Sequence, residues 1–368
     1  MRIGLIIYGS LDTVSGGYLY DRKLVEYCRS RGDQVFVFSQ PYRNYAEHLS
    51  YNFSSALVKR LRQSRLDFLL QDELNHPSLF WFNRALRPAF PLVSIVHHLR
   101  SSEARPAWQN VLYRQVETLY LRSVSGYIFN SQTTKSTVEP LAPGKRPSIV
   151  AVPAGDHLEG TLTPDRIEPR AFREGPLRIL FVGNLIPRKG LHVLLDALAR
   201  LDPARWRLTV TGATDVDPAY TASIQAQIAR QQLDRNVMLI GPQTGPTLLD
   251  QYTNHQVLAV PSSYEGYGIV YLEAMAFGLP AIATTAGAAG EVIADNVNGF
   301  LVPPGDAVAL AGSIQTLITD RQLLLRMSLN ARARFDQQPT WEQSMQAARK
   351  FLQRFPIHMP VTAPLRPR

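Results

Sequence analysis

The sequence predicts an α/β protein with two doubly wound parallel sheets, one in each of two domains. Three observations carry this. The chain has 368 residues, more than one hydrophobic core usually serves. Short apolar, β-branched runs alternate with amphipathic helical stretches from end to end, the pattern of parallel strands joined by crossover helices. The alternation breaks once, at the Pro-, Gly- and charge-rich stretch "PAGDHLEGTLTPDRIEPRAFREGP", and restarts with "LRILFVG".

In the first half the pattern predicts strands near residues 3–8, 35–39, 68–70, 92–96, 127–129 and 149–152. In the second half it predicts strands near 179–182, 207–211, 237–239, 257–260, 281–283 and 300–302. The first domain is expected over 1–165, a linker over 166–176 and the second domain over 177–339. A helical stretch beginning "TWEQSMQAARKFL" precedes a Pro-rich tail, 357–368, expected to be poorly ordered. No repeat of solenoid period is present.

At 45% hydrophobic and 19% charged residues, the composition is that of an ordinary globular chain rather than a disordered one. Cys28 is the sole cysteine, which excludes an intrachain disulfide or a cysteine zinc cluster and suits a reducing compartment. The apolar run in "MRIGLIIYGS" is too short for a signal-peptide core. No window reaches the roughly 18 apolar residues of a membrane span, so a cytoplasmic location is expected. The net charge of +9 suits an anionic partner: nucleic acid, an anionic membrane surface or a phosphorylated substrate. The excess leans to the first half, where residues 1–175 hold 22 basic against 16 acidic side chains and the remainder 17 against 14. Lys59, Arg60, Arg62 and Arg65 form its densest cluster. No single-strand or groove-reading module accompanies these charges, so nucleic acid is not an expected partner.

Ligands of open parallel sheets bind beyond the carboxyl ends of the strands. Four unusual segments occupy that position: "DTVSGGY", "HHLRSSE", "GNLIPRKG" and "PSSYEGYG". Together they point to one cleft between the domains. Gly16 and Gly17 open a helix, so backbone amides there can meet a phosphate or a sugar with no side chain in the way. The G-x-G-x-x-G dinucleotide pattern is absent. "GNLIPRKG" is not a nucleoside-triphosphate loop either, because Arg188 stands at the second glycine's place and Gly190 at the hydroxyl's. What it offers is Arg188 beside Lys189, two cations suited to a diphosphate.

Glu265 and Glu273 lie eight positions apart. In a continuous helix that is a rise of about 12 Å, too far for the roughly 5 Å carboxyl pair of a retaining glycosidase. One acid on a loop and one in the following helix instead suit two parts of a long substrate. A sugar nucleotide has that shape, with sugar hydroxyls at Glu265, ribose hydroxyls at Glu273, and the diphosphate over the amides of Tyr267, Gly268, Ile269 and Val270.

These residues resemble the retaining glycosyltransferases of family 4, which have the GT-B architecture of two facing Rossmann-like domains. "PSSYEGYGIVYLEAMAFGLPAIAT" is similar to that family's E-x7-E segment, and "GEVIADNVNGFLVPPGD" to the stretch that follows it. "FVGNLIPRKGLHVLLDALA" resembles its basic diphosphate loop and "SGGYLYDRKLVEYCRSRG" its N-terminal glycine loop. The resemblance is dense from Leu177 to about Trp341 and patchy before that.

The resemblance implies that Glu265 contacts the donor sugar near the transferred carbon and Glu273 the ribose. It places the departing diphosphate on Arg188 and Lys189, with Gly183 and Asn184 also in the donor loop and Gly16 and Gly17 closing from the other domain. His97 matches the histidine beside sugar and acceptor, and His98 is a second candidate. It further implies transfer of a hexose-type sugar from a nucleoside-diphosphate sugar to a hydroxyl acceptor, with retention, no cofactor and no obligatory metal. The last helix, about 340–356, should cross back to the first domain. A nucleotide-sugar epimerase and a non-catalytic sugar-nucleotide-binding module remain the alternatives. Peripheral contact with an anionic membrane is a further expectation, through Trp108, Leu112, Tyr113, Leu119 and Tyr120 of "AWQNVLYRQVETLYLR".

Overall fold

The computed structural model describes residues 1–87, 89–158 and 160–355. The tail expected over 357–368 lies outside the described residues. Among the described residues, twelve strands form two six-stranded sheets, parallel throughout. The first sheet contains β1 (Arg2–Tyr8), β2 (Gln34–Gln40), β3 (Phe68–Asp72), β4 (Leu92–Val96), β5 (Gly126–Phe129) and β6 (Ser148–Val150), in the order β2-β1-β3-β4-β5-β6. The second contains β7 (Leu177–Val182), β8 (Trp206–Thr211), β9 (Val237–Leu239), β10 (Val257–Ala259), β11 (Ala281–Thr284) and β12 (Gly299–Val302), in the order β12-β11-β10-β7-β8-β9. Each of the twelve sequence-predicted strands is present. Strand order reverses between β1 and β3 and again between β7 and β10, and at such reversals the loops diverge and leave a crevice at the strand ends.

The inner strands are apolar on both faces because helices cover both. In β1, Ile3, Leu5 and Ile7 enter one core, shared with the helix Gly16–Ser30, while Ile6 enters the core on the opposite face. That is the two-residue period of a strand expressed as two packing layers. Ser15 caps the Gly16–Ser30 helix by accepting from the Tyr18 amide at 3.4 Å.

The linker reading of 166–176 needs correction. Residues Pro164–Ala171 form a helix, with Ile167, Arg170 and Ala171 buried against the second domain. Proline at a helix's first position costs no hydrogen bond, and Pro164 and Asp165 provide that start. Arg170 is buried, pairs with no carboxylate among the described residues, and donates to the carbonyls of Gly278 (2.7 Å) and Tyr252 (3.4 Å).

The last helix, Trp341–Leu352, packs Trp341, Met345, Ala348, Phe351 and Leu352 into the first domain's core. A reciprocal Thr340/Gln343 capping box opens it, and the Trp341 amide donates to Asp156 Oδ1 at 3.0 Å. Arg349 holds buried Asp33 with two hydrogen bonds, 2.6 and 3.0 Å, tying the helix to the turn before β2.

Candidate active site between the two domains

The loops at the second sheet's reversal carry the charged residues. After β7 the chain forms a short turn, Pro187–Lys189, that ends at Gly190. Gly190 has φ +74°, and a Cβ there would lie 2.2 Å from the Pro261 carbonyl oxygen. Only glycine lets the β7 loop approach the end of β10 this closely. The Ser263 amide donates to the Arg188 carbonyl at 2.8 Å, joining the two loops.

Arg188, Lys189 and Glu265 therefore meet. Lys189 Nζ lies 2.7 Å from Glu265 Oε2, and Arg188 Nη1 lies 3.8 Å from the same oxygen while donating to the Tyr264 carbonyl at 2.9 Å. Ser262 Oγ donates to that carboxylate at 3.1 Å. Burial opposes ionisation of Glu265, but Lys189 and Arg188 outweigh it and hold the carboxyl down at about 2. Burial lowers the Lys189 pKa, with Glu265 opposing. The Glu265 backbone is pinned as well, since the Ala288 amide donates to its carbonyl at 2.8 Å.

Gly268, with φ +94°, starts the helix Ile269–Ala276. The amides of Ile269 and Val270 open that helix, where no preceding turn supplies carbonyl partners. Glu273 sits in its second turn, so the two glutamates occupy a loop and a helix. Glu273 is nearly buried and does not meet the basic pair. It accepts from Tyr252 OH at 2.6 Å and faces His157 Nε2 at 3.0 Å. Tyr267 is buried, its hydroxyl accepting from buried Gln338 at 2.7 Å. Asn184 Oδ1 accepts from the Ala213 amide at 3.4 Å, and Gly183 packs beside the Lys189 side chain.

The first domain presents the other wall. A Cβ on Gly17 would lie 3.2 Å from the His97 ring, and one on Gly16 would lie 3.5 Å from Ile269 of the second domain. His97 is buried, with Nε2 3.3 Å from Asp21 Oδ1. Burial lowers its basicity, but Asp21, Asp72 and Glu73 outweigh this and push the imidazole up to about 9. It is thus a cation held behind the glycine loop. Burial and the neighbouring Asp21 push Asp72 up to about 8. His98 takes a different direction, its Nε2 2.8 Å from Glu103 Oε1. Glu103 also pairs with Arg105 at 2.5 Å and lies 3.9 Å from Arg188 Nε. His98 thereby reaches the basic loop through one carboxylate.

Among the described residues, two groups have metal-ligand atoms within 4.8 Å of one another, Asp21/Asp72/His97 and Glu73/His76/Glu117. Burial raises Glu73 and Glu117 to about 7 each and lowers His76 to about 4.

The sequence reading missed Asp21, Glu103, His157 and Tyr252. Asp21 stands one helical turn after Gly17, the one local hint available. It also placed Tyr120 on an interfacial surface, which the structure corrects. Tyr120 is fully buried and donates to Ser94 Oγ at 2.9 Å. Trp108, Leu112 and Leu119 of the same helix, Ala107–Leu121, are exposed. No described helix is long and apolar enough to cross a membrane.

Residues 164–334 match the family model described as "Glycosyl transferases group 1". A D-inositol 3-phosphate glycosyltransferase from Jonesia denitrificans is 33% identical over 211 residues, 56% of this chain and 48% of that protein. A glycogen synthase from Mycobacterium tuberculosis is 26% identical over 255 residues, 68% and 60% of the respective chains. The chain spans about half the length of the D-inositol 3-phosphate glycosyltransferases it matches. Among solved structures, sucrose-phosphate synthase from Thermosynechococcus elongatus superposes with a TM-score of 0.81 at 22% identity, over 96% of this chain and 98% of that one. Anabaena Alr3699/HepE in complex with UDP and glucose superposes with a TM-score of 0.76 at 24% identity, over 96% and 100%. The protein has the GT-B fold, and its residues 164–334 match the model of glycosyl transferases group 1.

Proposed function

We propose that the protein is a glycosyltransferase that moves a hexose-type sugar from a nucleoside-diphosphate sugar to a hydroxyl group of an acceptor. The observation that carries this reading is the convergence of Lys189 and Arg188 on Glu265 at the reversal between β7 and β10. Two cations and one ionised carboxylate leave a net positive charge where a diphosphate would bind. Charge grows on the diphosphate as its bond to the sugar breaks, and fixed cations lower the barrier for that step. This reading assigns the leaving group to Arg188 and Lys189 without an obligatory divalent metal. It assigns sugar hydroxyls to Glu265, ribose to Glu273 and the diphosphate's outer oxygens to the amides of Ile269 and Val270. The solved relative with UDP and glucose, and the group 1 match over this segment, support the donor class.

Transfer proceeds with retention in this account. The anomeric carbon's bond to the diphosphate oxygen breaks, the acceptor oxygen bonds to that carbon on the same face, and the acceptor's proton passes to the departing diphosphate. His97, as a buried cation, orients the sugar and acceptor and does not take that proton.

The test is a screen of UDP-, GDP- and ADP-sugars for slow donor hydrolysis, with the anomer released followed by proton NMR. Release of the donor's own anomer supports the proposal; inversion, or epimerised donor without hydrolysis, contradicts it. The first domain's exposed Trp108, Leu112 and Leu119 support a second element of the proposal, peripheral contact with an anionic membrane.

A further inference from the structure

The glycosyltransferase reading leaves the acceptor unspecified, and the first domain holds a charged group that the donor machinery does not use. Arg100 opens the short turn Arg100–Ser102 just beyond β4. Its guanidinium carbon lies 5.3 Å from the Tyr45 ring centroid and 4.9 Å from that of Tyr113. The two rings meet edge to face with centroids 4.7 Å apart, and Tyr45 is tethered through its hydroxyl, 3.1 Å from His76 Nε2. A guanidinium against two such rings is oriented before any ligand arrives.

Arg100 Nε is buried and has no hydrogen-bond partner among the described residues. No carboxylate among the described residues pairs with Arg100, whereas nearby Arg105 has Glu103 at 2.5 Å. A buried donor left unpaired is costly and rare in a native fold. Glu73, which feels the Arg100 charge, and Glu117, which is bonded to the adjacent Ser101, are carboxyls that burial pushes up to about 7. Glu117 is further engaged by the Ser101 amide and hydroxyl. Tyr45 begins the helix that follows β2, His76 follows β3 and Arg100 follows β4. The cluster therefore stands at the carboxyl ends of the first sheet, the edge that also carries Gly17 and His97.

We infer that Arg100, packed against the edge-to-face pair Tyr45 and Tyr113, binds an anionic group, phosphate or carboxylate, carried by the acceptor. This rests on the glycosyltransferase reading for the word acceptor, while the anion site itself rests on Arg100. A planar guanidinium offers two parallel N–H groups, which match the paired oxygens of either anion.

The experiment is ligand-observed NMR titration of the full chain with two pairs of probes, glycerol 3-phosphate against glycerol and D-galacturonate against D-galactose. Each titration is run with and without saturating UDP, GDP or ADP, so that the donor loop is filled in one arm. The expected result is that an anionic member binds about 10-fold or more tightly than its neutral counterpart. The phosphate and carboxylate arms tell which anion is preferred. Arg100→Gln erases the preference, Arg100→Lys keeps part of it, and Arg188→Gln leaves it in place when measured without nucleotide. Unchanged melting temperatures confirm that the variants fold. No preference in the wild-type chain, or a preference that survives Arg100→Gln or disappears in Arg188→Gln, overturns the inference. If no nucleotide binds but the preference still needs Arg100, the donor reading fails and the anion site stands. If nucleotide binds and the preference is absent, the inference fails alone.

Discussion

The backbone carbonyl of His97 and the α-carbon of Gly266 meet with no side chain between them. A Cβ on Gly266 would lie 2.6 Å from the His97 oxygen and 3.3 Å from His98 Cβ. The first domain thus touches the second at the residue next to Glu265, and the separation of the cleft walls is set there by the absence of a methyl group. Gly266→Ala must part the two loops by several tenths of an ångström or more. Misplacing reacting groups by about 1 Å can cost on the order of 100-fold in rate. The expected outcome is turnover lowered by at least ~10-fold with a modest loss of stability, read by steady-state kinetics and thermal melts on the same preparation.

His97 gives the fold a characteristic pH dependence. Its imidazole, raised to about 9 despite burial by Asp21 and Asp72, holds a proton that an unfolded histidine releases near ~6.5. The stabilisation is fully present below that unfolded value and is lost as pH rises through about 9. Asp72, raised to about 8 by burial and Asp21, adds loss of the same sign over a lower range. Denaturant melts between pH 6 and pH 10 should show declining stability in the wild-type chain. His97→Asn should flatten that decline, and a parallel decline in the variant would contradict the assignment.

His157 joins the crossing chain to the donor helix. Its Nε2 faces Glu273 at 3.0 Å, and Trp341 Nε1 donates to its Nδ1 at 3.4 Å. That arrangement puts the neutral ring's proton on Nε2, toward the carboxylate. His157→Ala frees Glu273 to rotate, and the expected effect is nucleoside-diphosphate binding weakened by about 3- to 10-fold. Removing the nucleotide's ribose hydroxyls should abolish the difference between variant and wild type. Calorimetric titration with the ribo- and dideoxyribonucleotide checks both.

Much of this was legible in the sequence, for identifiable reasons. Inner strands buried on both faces read as continuous apolar runs, and the half-exposed edge strands β2, β6 and β9 still read as short β-branched or apolar runs. Arg188, Lys189 and Glu265 stand directly after such runs, and strand ends at an order reversal converge. Their meeting followed from topology. The helix Pro164–Ala171 was hidden because Pro169 and four charged residues break its periodicity. Only Pro164 and Asp165 announced its start. Asp21, His157 and Arg100 were hidden for another reason. Each acts through partners distant in sequence, and a lone Asp, His or Arg has no local pattern. Tyr120 was misplaced because an aromatic at helical spacing reads alike whether it faces solvent or core.

The exposed face of Ala107–Leu121 gives a prediction about location. Trp108 is 64% exposed and Leu112 52%, on a domain with excess positive charge. Liposome flotation should recover the chain with vesicles containing anionic lipid and much less with neutral ones, and raised salt should weaken recovery. Trp108→Ser with Leu112→Ser should lower it without changing nucleotide binding. Equal recovery of wild type and variant would remove this face from the account.

The central claim is that Lys189 and Arg188, held by Glu265, grip the diphosphate of an activated sugar. Isothermal titration of UDP, GDP and ADP into the wild-type chain and into Lys189→Ala tests it most directly. The account predicts saturable binding of at least one of the three, weakened about 10- to 100-fold by loss of one charged donor. Absence of binding by all three, or equal affinity in the variant, would contradict it.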